Sequence, residues 1–176
     1  EQYTLMTLWA IGRSPLIFGG DMTQLDLFTR EMLTNPEMLK VNQESTNNRQ
    51  VFRDRDLIVW AADACCGGAG YAAASASDAG APAGAACGSA TFAGCTAKYV
   101  ALFNAQSPEA SDAPAPDTAA STGGTLIRVD LQAIGIKGPA RVTDLWNHKD
   151  LGVFEKEFSG EIPFHGAGLY RISPAE

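Results

Sequence analysis

The spacing of apolar positions changes character near residue 49. Residues 1–12, EQYTLMTLWAIG, place Leu5, Leu8 and Trp9 at helical spacing, which predicts a helix burying that face, with Gly12 as its stop. Pro15 blocks any continuation, and Leu16-Ile17-Phe18 is a short unbroken apolar run. Such a run predicts a strand covered on both faces, as in a parallel sheet, and Gly19-Gly20 ends it. Asp26 predicts a cap for a helix running to about Leu33, and Asn35 followed by Pro36 predicts a second cap that restarts helical structure. The first forty residues therefore read helix, strand, helix.

From Arg49 onward the period shortens. Gln50 to Arg53 and Leu57 to Ala62 flank the polar turn Asp54-Arg55-Asp56. The segments Lys98 to Asn104, Thr125 to Leu131, Ala140 to Trp146 and Ala167 to Ile172 are short, rich in β-branched or aromatic residues, and bounded by turn formers. These predict antiparallel strands. In Thr125 to Leu131, alternation assigns Ile127, Val129 and Leu131 to a buried face and Arg128 and Asp130 to a wet one.

Two stretches interrupt the strands. Residues 64–97 are dominated by Ala, Gly and Ser, with too few large side chains to define a core, and read as a long loop inserted in a hairpin. Residues 107–124, rich in Pro, Ala, Ser and Asp, read as a second exposed loop. Hydrophobic residues at 45% and charged residues at 19% are the balance of a globular chain. The net charge of -7 and the scattered Lys and Arg argue against a nucleic-acid partner. No run of about eighteen apolar residues occurs, so no membrane-spanning helix is expected. The chain opens on Glu1 without an initiator Met or a signal-peptide pattern, which leads us to expect a fragment or a processed chain.

Candidate chemistry is sparse. Cys65, Cys66, Cys87 and Cys95 all lie in the first loop, where disulfides would staple a segment that burial cannot hold, although adjacent Cys65 and Cys66 do not readily bond each other. Zinc ligation and free thiols are the alternatives, and the spacing offers neither CxxC nor a nearby His. His148 and His165 are far apart in sequence and read as turn or edge residues. No GxSxG, phosphate-cradling glycine loop or HExxH occurs, so no cofactor or metal is expected. Asp21 falls where barrel enzymes carry catalytic groups, at the C-terminal end of a predicted parallel strand. The plainer reading is that it binds loop amides or caps the next turn, and one carboxylate is insufficient for acid/base work on a sugar.

Taken together, Tyr3 to Ile11, the stretch SPLIFGGDM over 14–22, Leu33 to Glu37 and Val41-Asn42-Gln43 resemble the end of the catalytic barrel of glycoside hydrolase family 27, the α-galactosidases. Thr143 to Trp146, Lys149 to Gly152 and His165 to Ile172 resemble that family's C-terminal β domain. The resemblance implies an α/β fragment, the last helix-strand-helix of a (β/α)8 TIM barrel, over residues 1–46. An all-β antiparallel sandwich over 47–176, carrying the two loops, would follow. It also implies hydrolysis of terminal α-linked galactose with retained configuration by two aspartates. Both would lie upstream of Glu1, leaving no catalytic residue in this chain and making Asp21 a supporting loop residue. The chain would then pack against the rest of the barrel and be inactive alone, in a secreted or periplasmic enzyme. The rival readings are a non-catalytic carbohydrate-binding module with Trp60, Trp146 and Tyr170 as a stacking platform, and an adhesion domain using the Cys-rich loop.

Overall fold

The computed structural model describes residues 1–64, 96–106 and 123–175. Three helices come first: α1 (Gln2–Ile11), α2 (Leu27–Leu33) and α3 (Pro36–Glu44), with a single 3-10 turn at Met22–Gln24. Eight strands follow among the described residues. They are β1 (Thr46–Asp54), β2 (Leu57–Asp63), β3 (Lys98–Asn104), β4 (Gly124–Asp130), β5 (Ala140–Asp144), β6 (Lys149–Phe154), β7 (Glu157–Pro163) and β8 (Ala167–Pro174). Six of them form an antiparallel sheet in the order β1-β2-β3-β8-β5-β6, and β4 pairs with β7 as a separate ribbon.

The large sheet is covered on both faces at its centre, and alternation along β3 shows how. Val100 and Leu102 face the ribbon, where Ile127, Val129, Leu131, Phe158 and Ile162 complete one core with Tyr170 and Ile172 of β8. Tyr99, Ala101 and Phe103 face the helices, where Met6, Ala10, Ile11, Met38 and Val41 complete a second core with Leu169. A central strand with partners on both faces must be apolar at every position, and β3 is almost continuously buried. On the edge ribbon the same rule yields strict alternation, with Ile127 and Val129 buried while Leu126, Arg128 and Asp130 face solvent.

Close approach decides one feature of the first core. Tyr170 stacks edge-on against Phe158, with ring centroids 4.8 Å apart, and its ring lies over Gly168 of its own strand. A Cβ at Gly168 would stand 2.3 Å from the Tyr170 hydroxyl oxygen, and one at Gly160 would stand 2.9 Å from Leu102 Cδ1. Glycine is needed at both positions because a side chain already occupies the space, that of Tyr170 from the same strand at Gly168 and that of Leu102 from the facing sheet at Gly160.

Three expectations need correction. Leu16 to Phe18 does not form a strand: the segment has no strand partner among the described residues, and Ile17 is 87% exposed. A parallel strand exists only when neighbours satisfy its backbone, and no described strand runs beside it. Helix α1 is present, but it buries Met6, Thr7, Ala10 and Ile11, while Leu5, Leu8 and Trp9 point outward. The smaller face is the one that fits closely against the sheet and α3. Finally, β6 and β7 form between residues 149 and 163, where no strand was expected.

Candidate functional site

The predicted strand-end residue Asp21 is a cap. Its Oδ1 accepts hydrogen bonds from the Thr23 amide at 2.9 Å and the Thr23 hydroxyl at 2.7 Å, starting the 3-10 turn. The hydroxyl bond, then the amide bond, hold this exposed carboxyl below the usual range. Asp26 likewise caps α2, accepting from the Thr29 amide at 2.7 Å. An exposed carboxylate held ionised by local donors suits capping rather than general-acid work, which needs a raised pKa. Among the described residues, no three His, Cys, Asp or Glu side chains gather as metal ligands.

The helices are locked to each other and to the sheet by polar side chains at their ends. Arg13, in left-handed backbone with φ 53°, fans its guanidinium over the end of α3, donating to the carbonyls of Asn42, Gln43 and Ser45. A cation placed on the last carbonyls of a helix satisfies orphan acceptors and opposes the negative dipole end. In return, Asn42 donates to the carbonyls of Trp9 and Ser14, and Asn48 donates to that of Ile11. Arg13 and the Asn42 side chain thus tie the end of α1 to the end of α3.

The β5–β6 turn reaches both helices. Asp144 accepts from the Trp146 and Asn147 amides, shaping the turn, and Trp146 Nε1 then donates to the buried Thr7 hydroxyl of α1 at 2.8 Å. Asn35 caps α3 through Glu37 and Met38 while its Nδ2 donates to the Leu145 carbonyl at 3.0 Å. On the far edge, Thr4 donates to the carbonyl of His165, a turn residue with φ 55°.

These locks leave one side of the helical layer bare. Most exposed large apolar side chains among the described residues fall between Tyr3 and Phe28, including Leu5, Leu8, Trp9, Ile17, Met22 and Leu27. Grooves flank the outer face of α1. One, of about 400 Å³, runs between Leu5 and Leu8 and the sheet residues Ile58, Trp60 and Phe103. The other, of about 270 Å³, lies among Met6, Trp9, Leu16, Phe18 and Leu33. Contiguous apolar surface of this kind marks an interaction site.

The remaining candidates are dispersed. His148 sits in the β5–β6 hairpin turn and His165 in the turn that carries the chain from β7 to β8, turn positions as the sequence suggested, and both have left-handed backbone. Trp60, Trp146 and Tyr170 do not share a surface: Tyr170 is buried in the ribbon core, and the two tryptophans pack against the helical one. Burial, assisted by the Asp144 carboxylate, pushes the Tyr170 phenol up to about 12. Cys65, Cys66, Cys87 and Cys95 lie outside the described residues. Sequence reasoning missed Arg13, whose target is formed by residues some thirty positions away. It also missed the second bond of Asn35, although the cap itself was readable from Asn35-Pro36.

Residues 91–172 match the family model described as the α-galactosidase C-terminal β-sandwich domain. Over 99% of this chain, the α-galactosidase of Oryza sativa subsp. japonica is 24% identical and that of Cyamopsis tetragonoloba 25% identical. A solved GH27 β-L-arabinopyranosidase from Geobacillus stearothermophilus superimposes over 99% of the chain with a TM-score of 0.70 and 30% identity. The chain spans 32% and 33% of the two plant proteins and 30% of the bacterial one.

Proposed function

Proceeding from the α-galactosidase C-terminal β-sandwich region that this chain carries, we propose that it is the C-terminal part of a family 27-type glycoside hydrolase. In this reading residues 1–46 supply the last helix-strand-helix of a (β/α)8 barrel and residues 47–176 the appended sandwich. The barrel's other strands carry the two catalytic aspartates, one a nucleophile and one an acid/base, and act with retention on terminal α-linked galactose. Clustered cysteines favour a secreted or periplasmic enzyme.

The single observation that carries this reading is the two-faced helix α1. One face, Met6, Thr7, Ala10 and Ile11, is buried against the sheet and α3, and the opposite face, Leu5, Leu8 and Trp9, is equally apolar yet exposed. A helix that is apolar all round has partners on two sides. The run Leu16 to Phe18, which no described strand pairs, lines one groove with Trp9 and has the composition of a strand buried within a parallel sheet. A barrel would cover both.

The test is to incubate the purified 176-residue chain, and a polypeptide extended through the preceding coding sequence, with chromogenic α-galactoside and β-L-arabinopyranoside. These sugars share their ring hydroxyl configuration and differ in the hydroxymethyl group. We expect no turnover by the 176-residue chain and turnover of the galactoside by the extended one. Turnover by the short chain that Asp21→Asn abolishes would overturn the proposal. Preference of the extended chain for the arabinopyranoside would replace the substrate.

A further inference from the structure

We draw no further inference here: the strongest candidate, the apolar groove of about 400 Å³ between α1 and the β2–β3 face of the sheet, is continuous with the outer face of α1 already assigned to the proposed barrel contact, and nothing in the structure shows a different occupant.

Discussion

Two unbroken apolar runs in this chain, Leu16-Ile17-Phe18 and Tyr99 to Phe103, read alike and behave in opposite ways. The second is β3, paired on both edges by β2 and β8 and covered on both faces by the ribbon and the helices. The first has neither edge partners nor a second covering layer, and its central side chain stands in solvent. An apolar run states what a segment can become, and its neighbours decide whether it does.

Substitution at the centre of each run should separate the two segments most strongly. Leu102 is fully buried, so Leu102→Ala should cost about 2–5 kcal/mol through lost transfer energy and the cavity left behind. Ile17→Ala should stay within about 0.5 kcal/mol, as exposed sites do. Urea denaturation followed by near-UV circular dichroism gives both values. Comparable losses at the two sites would mean that residues 16–18 are packed in solution and that the contrast is wrong.

Overpacking comes next. Gly168→Ala places a methyl where the ring of the buried Tyr170, two residues on in the same strand, already lies, and should destabilise by about 1–3 kcal/mol. Gly19, where an added Cβ meets nothing within 4 Å, supplies the control in the bare segment. Gly19→Ala should be neutral or slightly stabilising.

The two helix caps repeat the contrast on a smaller scale. Asn35 is 5% exposed and serves both the α3 amides and the Leu145 carbonyl, so Asn35→Ala removes a cap and orphans a buried acceptor, at about 2 kcal/mol. Asp26→Ala removes only an exposed cap from α2 and should cost about 1 kcal/mol or less. Thermal melts of the two variants, measured together, order them. A larger loss at Asp26 would show that α2 is held more firmly than its exposed surface suggests.

Where a signal was local, the sequence was sufficient. The bounds of β3, the inward set Ile127, Val129 and Leu131, and the caps at Asp26 and Asn35 follow from alternation and side-chain chemistry within a few residues. β7 was also legible, since Phe158 and Ile162 alternate with Glu157, Ser159 and Glu161, but Gly160 at the intervening inward position masked the period. The buried face of α1 was not legible by any local rule. With apolar residues on every side, only the shape of the sheet selects Met6, Ala10 and Ile11 over Leu5, Leu8 and Trp9. Asp21 does not end a strand, because Leu16 to Phe18 forms none; the plainer reading of it as a cap is the one that holds, with the Thr23 hydroxyl and amide both donating to its Oδ1.

The smallest effect expected is electrostatic and sits at the end of β2, where Asp63 pairs with Lys98 of β3. Lys98 Nζ lies 2.5 Å from Asp63 Oδ1, and Asn47 Nδ2 lies 2.6 Å from Oδ2. Burial raises the Asp63 carboxyl, but the bonds from Lys98 and Asn47, with the charges of Lys98 and Arg49, outweigh it and hold the group below its ordinary value of 3.8. A carboxyl whose native pKa is depressed stabilises the fold fully above that ordinary value, and the contribution fades as pH falls through the lowered one. The pair is partly solvated, so its worth near neutrality is about 1 kcal/mol or less. Asp63→Asn should therefore lower the urea midpoint slightly at pH 6, and the gap from the parent chain should close towards pH 2.5. A gap that widens in acid would show that burial, rather than Lys98, sets the carboxyl's behaviour.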